Sequence, residues 1–198
     1  GAPFITDEIY TGVWRTGTFL AGEHEGLVPD AICLGKALGG GMPLSVCMMR
    51  PRLANAVGGS LSQAPHYATF LGHPLACVAG SAVLSEGERL GLGEAATRVG
   101  AIMTARAESW RAKWPMVSDV RGAGAMVGVE LTRPDGSPAG GIAGAVIDAV
   151  RQEGVLLLSE GAAGNVLSFV PPVVIRRRDL TFALDVVEQA LGAAACRT

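Results

Sequence analysis

The sequence predicts an α/β fold, in which part of a mostly parallel sheet domain is followed by a small α+β domain. Two observations predict it. In the first half, short apolar runs at residues 4–6 and 44–49 have the length of buried strands, and a helical segment follows. In the second half, strand-length and helix-length segments alternate. The composition agrees, because 49% of the 198 residues are hydrophobic and only 17% are charged, which is typical of an enzyme core and not of a disordered chain.

The first half reads as strand, glycine-rich turn, strand and helix. Residues 4–6 form the end of one strand, and residues 44–49 form another. Residues 74–90 have the Ala, Leu and Val content of a buried helix, with Pro74 in the first turn. We therefore expect residues 1–91 to belong to a larger sheet domain.

The second half begins with a helix at residues 92–114, where apolar residues recur at helical spacing from Ala95 to Trp110. The segments after it predict strands at residues 125–131, 155–158 and 166–170, and helices at residues 142–153 and 179–191. We expect residues 92–114 to connect the two domains and residues 115–198 to form the small one.

Several classes of protein are excluded by charge and composition. The formal net charge is -2, and the one basic run, at residues 176–178, is too short for a nucleic-acid surface. No apolar stretch reaches the length of a membrane span, and no leader opens the chain. The four cysteines have no metal-ligand spacing, and three of them lie in apolar contexts where cysteine acts as a small hydrophobic residue. We therefore expect a reduced, cytoplasmic protein.

Asp7 and Lys36 are the residues that indicate chemistry. Asp7 ends the first apolar run, and Lys36 lies in the glycine-rich run GKALGGGMPL at residues 35–44. Pyridoxal phosphate needs an acid beside its ring nitrogen and a lysine that forms the aldimine. An amine among apolar and glycine neighbours also loses its proton more readily because it is desolvated. Alone, Lys36 would read as a surface lysine and Asp7 as a turn cap; together they predict a pyridoxal-phosphate enzyme of amino-group chemistry.

Longer motifs resemble the class III pyridoxal-phosphate aminotransferases of fold type I, and in particular their 4-aminobutyrate branch. The resemblance covers nearly the whole chain in the family's order. It is carried by FITDEIYTG at residues 4–12, GKALGGGMPL at 35–44, ATFLGHPLA at 68–76, VRGAGAMVGVEL at 120–131, GVLLL at 154–158 and GNVL at 164–167.

The resemblance implies a role for each matching residue. Lys36 would be the Schiff-base lysine and proton shuttle, and Asp7 the partner of the pyridinium nitrogen of pyridoxal 5′-phosphate. Tyr10 would lie near the cofactor's phenolic oxygen, and Thr69 would bind phosphate in a neighbouring subunit's site. By itself, Thr69 reads as an ordinary turn residue. Arg15 and Glu8 are expected to be structural.

Ser168 departs from the family pattern. It stands where the related aminobutyrate, ornithine and acetylornithine enzymes carry an arginine that binds the substrate carboxylate. A serine cannot form the paired charged hydrogen bonds of an arginine. The departure favours an amine, an ω-amino compound, an aminomutase substrate or a racemisation reaction over glutamate and 2-oxoglutarate. We expect the partners to be a small-molecule amine or amino acid and a keto acid or aldehyde.

Length is the second departure, because family members are about twice as long. We expect activity only in a homodimer or an assembly with a chain that supplies the N-terminal half. The chain could be a fragment, one product of a split gene, or a remnant without catalysis. The alternatives to a transaminase are an aminomutase or epimerase of the same family, and a noncatalytic dimerisation or regulatory module.

Overall fold

A computed structural model of the chain describes residues 1–57 and 69–196. The chain divides into two compact units, Gly1–Gly93 and Glu94–Thr198. Each unit has its own sheet and its own buried apolar cluster. The α/β class predicted from the sequence is confirmed.

The sheet of the first unit has three strands, β1 (Ile5–Asp7), β2 (Ala31–Leu34) and β3 (Val46–Met49), in that order. β1 and β2 are parallel, whereas β2 and β3 are antiparallel. The described part of the sheet is therefore mixed rather than mostly parallel. The reason is the short connection at residues 35–45, since a parallel return needs a crossover of about a dozen residues or more.

One α-helix of the first unit, Pro74–Arg89, packs against the glycine-rich turn. Two short 3₁₀ helices span Ala21–Glu25 and Lys36–Gly39, and the α-helices are α1 (Pro51–Val57) and α2 (Pro74–Arg89). α2 matches the helix predicted at residues 74–90. It lies close to the turn, because a Cβ on Gly80 would come within 2.6 Å of Leu44 Cδ2, and a Cβ on Gly40 within 2.7 Å of Val83 Cγ2.

The elements of the second half are α3 (Leu92–Lys113), β4 (Val117–Ala123), β5 (Met126–Leu131), α4 (Gly140–Gln152), β6 (Leu158–Glu160), β7 (Val166–Phe169) and α5 (Arg177–Ala195). The second unit contains most of α3 and a four-stranded antiparallel sheet in the order β4-β5-β7-β6. Its buried core includes the large side chains of Met103, Trp110, Leu131, Leu167 and Leu191.

The strand predicted at residues 155–158 was wrong in its position, because β6 begins only at Leu158. The end of α4 explains the difference. Gly154 adopts a left-handed conformation with φ of 80°, and the Val155 N–H donates to the Val150 carbonyl at 2.9 Å. This is the hydrogen bond that closes a Schellman cap, so Val155 still belongs to the helix end.

None of the helices within residues 1–57 and 69–196 combines the length and apolar character needed to cross a membrane. The cytoplasmic location predicted from the sequence stays a prediction.

Candidate active site

Asp7 and Lys36 lie at the carboxyl ends of neighbouring parallel strands. β1 ends at Asp7, which is opposite Cys33 in β2, and Lys36 follows two residues after the end of β2. In open α/β sheets, ligands bind at the carboxyl ends of the strands. The fold therefore brings both residues to the edge of the sheet where a cofactor is expected.

The backbone of Lys36 is strained. Lys36 has φ of 44°, in the left-handed region that glycine favours. A non-glycine residue there costs about 1–3 kcal/mol, and such residues cluster at functional sites. The turn that imposes this conformation is held by hydrogen bonds from Leu38 N–H to the Gly35 carbonyl at 3.0 Å and from Gly40 N–H to the Ala37 carbonyl at 3.2 Å.

The side chain of Lys36 reaches Tyr10. The Lys36 Nζ atom lies 3.8 Å from the centroid of the Tyr10 ring, the distance of a cation–π contact. Lys36 is nevertheless exposed, so the desolvation expected from its sequence neighbours is not found in the described part of the chain. Glycines 39–41 have no side chains that could cover the amine.

The Asp7 carboxylate is exposed and oriented. Its Oδ1 atom accepts a hydrogen bond from the Ile9 N–H at 3.0 Å. Among the residues that the structure describes, no other hydrogen bond reaches this carboxylate. Its Oδ2 atom can therefore accept a hydrogen bond from a donor group of a ligand.

Glu8 is structural, as its sequence context predicted. It is buried, with 4% of its surface exposed. Its carboxylate accepts hydrogen bonds from the backbone N–H of Ala21 at 3.1 Å, from that of Gly22 at 2.8 Å, and from the Thr11 hydroxyl. Glu8 thus fixes the loop after β1 against the first 3₁₀ helix.

Arg15 lies in the same loop as Tyr10. Burial lowers the pKa of the Arg15 guanidinium, and the neighbouring Tyr10 opposes this change. A half-buried arginine beside Tyr10 agrees with the structural role expected for Arg15.

Thr69 is not joined to this group by any contact in the described residues. It is exposed and begins the turn at residues 69–72, just before α2. Its role as a phosphate ligand in a neighbouring subunit stays a prediction. Of the histidines considered from the sequence, His73 is the N-cap residue of α2, and His66 lies outside the described residues.

The sequence reasoning did not single out Cys33, because it treated three of the four cysteines as small hydrophobic residues in apolar contexts. Cys33 is only half-buried, and the other three cysteines are exposed. Cys33 lies between Asp7 in β1 and Cys47 in β3. Only the strand register reveals this neighbourhood, and the register is set by turn geometry that the sequence does not state.

Ser168 lies in the second unit, in the middle of β7 between Gly128 and Leu158. It is buried, and its hydroxyl donates to Glu160 Oε1 at 3.0 Å. Arg121 is opposite Gly128 on β4, and its Nη1 atom binds two carboxylates, each at 2.6 Å. The Ser168 side chain therefore presents a hydroxyl that is hydrogen-bonded to the Glu160 carboxylate.

Comparisons with known proteins identify the family. The family model described as "Aminotransferase class-III" matches residues 1–191. The chain is 38% identical over 196 residues to a Bacillus subtilis (strain 168) protein named "Probable 4-aminobutyrate aminotransferase", covering 98% of this chain and 44% of that protein. It is also 38% identical over 202 residues to the "Diaminobutyrate--2-oxoglutarate aminotransferase" of Rhizobium meliloti (strain 1021), covering 98% of this chain and 41% of that protein.

The solved structures agree. An aminotransferase of Bacillus anthracis superposes with a TM-score of 0.88 at 27% identity, covering 98% of this chain and 45% of that one. The fold is thus that of the C-terminal portion of a fold-type I aminotransferase, as predicted. The chain spans less than half the length of the curated relatives it matches. This chain belongs to the class III aminotransferases.

Proposed function

We propose that this chain is the lysine-bearing half of a transaminase that uses pyridoxal 5′-phosphate and attaches it to Lys36. One observation carries the proposal: Asp7 ends β1 and Lys36 lies two residues after the end of the neighbouring parallel strand β2, at the edge of the sheet where ligands bind. In this proposal, residues 1–91 form the C-terminal part of the cofactor-binding domain, residues 92–114 connect it, and residues 115–198 form the small domain.

The residues present fit this cofactor. An aldehyde needs a reachable amine, and the Lys36 amine is exposed and projects from a strained turn. A pyridine nitrogen needs an acid with an open oxygen, and Asp7 holds its other oxygen against the Ile9 N–H. When bound, the cofactor supplies the electron sink that stabilises a carbanion on the substrate.

Three side chains have distinct roles in the proposed reaction. The Asp7 carboxylate keeps a proton on the ring nitrogen. The Lys36 Nζ atom would hold the cofactor at its aldehyde carbon and, once the donor amine has displaced it from that carbon, would take a proton from the donor carbon. The Tyr10 ring contacts the Lys36 amine, and the Tyr10 hydroxyl would lie near the cofactor's phenolic oxygen.

The proposed donor is an amine or an ω-amino compound, and the proposed acceptor is a keto acid or an aldehyde. Ser168 supports this choice, because it offers a hydroxyl bound to Glu160 where the related enzymes carry an arginine. A carboxylate placed at this point would face the negative charge of Glu160. Glutamate is therefore expected to be a poor donor.

The active unit is proposed to include the half that this chain does not contain. The relatives are more than twice as long as the segment matched here. We propose that an N-terminal half joins this chain, either in one polypeptide or as a partner chain, and that two such units form a dimer in which Thr69 binds the neighbouring cofactor's phosphate.

Borohydride reduction tests the role of Lys36. The protein is purified under native conditions from its source, its native mass is measured, and bound cofactor is fixed by reduction and located by peptide mass. The sequence has only two lysines, Lys36 and Lys113, so Lys113 is an internal control. We expect the cofactor on Lys36 alone, and we expect Lys36→Ala, but not Lys113→Ala, to abolish both labelling and amino transfer.

Two results would overturn the proposal. One is full turnover in Lys36→Ala, because the reaction cannot then depend on this amine. The other is a full-size complex without cofactor on Lys36, which would favour the noncatalytic module. Exchange of the substrate proton with solvent, without net amino transfer, would instead identify an epimerase.

A further inference from the structure

Two cysteine thiols face each other beside the candidate active site. Cys33 in β2 and Cys47 in β3 are directly opposite each other in the antiparallel register, and their Sγ atoms are 4.0 Å apart. Both are free thiols. Cys33 is also opposite Asp7 on its other side.

We propose that Cys33 and Cys47 form a reversible disulfide when the protein meets a hydroperoxide. This inference does not rest on the proposed function. Opposite residues in an antiparallel pair have Cα atoms about 4.5 or 5.5 Å apart. Both spacings lie within the range of about 4.4–6.8 Å that disulfides adopt. The sulfur atoms are 4.0 Å apart and must approach by about 2 Å to reach the length of an S–S bond.

The accessibility of the two thiols gives the order of the steps. Cys47 is exposed, whereas Cys33 is half-buried. Burial raises the pKa of the Cys33 thiol, and the neighbouring Cys47 and Asp7 raise it further. Less of Cys33 is therefore the reactive thiolate near neutral pH. Cys47 is therefore the thiol that meets the peroxide, and Cys33 is the thiol that resolves the product.

The chemistry balances in two steps. The Cys47 thiolate attacks one peroxide oxygen, so that an S–O bond forms, the O–O bond breaks, and the other oxygen leaves as water or alcohol after taking a proton. The Cys33 thiolate then attacks the Cys47 sulfur, so that the S–S bond forms, the S–O bond breaks, and hydroxide leaves as water. Two thiols are oxidised and one hydroperoxide is reduced.

The bond would enclose the turn that carries Lys36. Residues 33 and 47 flank the whole glycine-rich segment between β2 and β3. The disulfide would thus close this segment into a covalent ring and cross-link the two strands next to Asp7. Oxidation of this pair would therefore restrict the backbone of the segment that carries Lys36.

Thiol counting and peptide mapping of the complete 198-residue chain test the proposal. The chain is treated with hydrogen peroxide, unfolded, and titrated for free thiols. We expect the count to fall from four to two and to return to four with dithiothreitol. Mass mapping should find the peptides of Cys33 and Cys47 joined and lighter by two hydrogens. Raising the pH should speed the second step, in which Cys33 attacks, because more of Cys33 is then thiolate.

Two variants sharpen the result. Cys47→Ser should lose the reversible fall in thiols, whereas Cys77→Ser, which removes an exposed cysteine elsewhere, should keep it. Mapping in the unsubstituted chain does not depend on how the variants fold. The proposal is overturned if Cys33 and Cys47 remain unpaired while other cysteines oxidise, or if either pairs with Cys77, Cys196 or a second chain.

Discussion

The amine of Lys36 lies 3.8 Å from the centre of the Tyr10 ring. Tyr10 belongs to the loop after β1, and Lys36 to the turn after β2. A lysine over an aromatic ring at an exposed site gains about 0.5–1 kcal/mol. The contact therefore holds the Lys36 amine towards the end of β1, where Asp7 lies.

Replacing Tyr10 should change the reactivity of Lys36. Tyr10→Leu removes the ring that the amine contacts, and with it about 0.5–1 kcal/mol of interaction, so the amine should react about twofold to fivefold faster with an acetylating reagent. Tyr10→Phe keeps the ring and should react like the unsubstituted protein. The measurement is the rate of acetylation of Lys36 divided by that of Lys113, followed by peptide mass. Equal ratios in the Leu and Phe variants would show that the ring does not control the amine.

Asp7→Asn should separate catalysis from folding. The side chain is exposed, and the amide oxygen of asparagine can still accept the Ile9 N–H, so the thermal midpoint should change little. The loss of negative charge at the ring nitrogen should lower the rate of amino transfer by about two orders of magnitude or more. The measurement is the single-turnover rate of the complete active unit with donor alone.

Asp135 is the matched control for this substitution. Its Oδ1 atom accepts the N–H of the residue two positions on, Ser137, at 2.9 Å, which is the same local bond that Asp7 makes. Asp135→Asn should therefore leave the rate unchanged. If both variants react at the unsubstituted rate, Asp7 is not the partner of the cofactor.

Two helical glycines should respond to alanine in opposite directions. A Cβ on Gly100 in α3 would overlap the carbonyl oxygen of Gly124 and lie 2.6 Å from its carbonyl carbon. Because backbone atoms cannot rotate away, Gly100→Ala should lower the free energy of unfolding by about 1–3 kcal/mol or more. Gly144 in α4 is exposed with open space around it, so Gly144→Ala should raise it by about 0.5–1 kcal/mol.

Denaturant unfolding followed by circular dichroism measures both effects. The prediction is that the free energy of unfolding is lower for Gly100→Ala than for Gly144→Ala. A Gly100→Ala protein as stable as Gly144→Ala would mean that α3 and the turn between β4 and β5 do not approach each other as the structure shows.

The sequence was sufficient to predict that Asp7 ends a strand and that Lys36 lies in a glycine-rich turn, because both are local patterns. It was also sufficient for the long helices, whose apolar residues repeat every three or four positions. The exposure of Lys36 and the position of Cys33 opposite Cys47 in the neighbouring strand could not be predicted in this way. Both depend on which strands are neighbours and in which register, and these are properties of the folded chain.

The position of β6 shows a second limit. Residues 155–158 have the apolar composition of a strand. Val155 nevertheless belongs to the cap at the end of α4, because it follows the left-handed Gly154 and its N–H donates to the Val150 carbonyl. Propensity is overruled where a hydrogen-bonded helix end meets an apolar run.

Acid should weaken the contact between α3 and α5 through Glu188. Burial alone would raise the pKa of this carboxyl, but hydrogen bonds from Trp110 Nε1 at 3.2 Å and Lys113 at 3.3 Å, with the charge of Arg106, hold the pKa below its ordinary value of 4.5. A carboxyl whose pKa is lowered by folding stabilises the protein fully above its unfolded pKa. That contribution is lost as the pH falls from 4.5 through the lowered value.

Glu188→Gln should therefore lower the free energy of unfolding by about 1 kcal/mol at pH 7 and flatten its decline below pH 4.5. The measurement is denaturant unfolding at a series of pH values between neutrality and strong acid. Glu153→Gln is the control, because Glu153 makes no ion pair within the described residues and lies just after α4. If the Glu188 variant keeps the full acid-dependent slope, the lost stability comes from other carboxylates, and the link between the two helices does not depend on this charge.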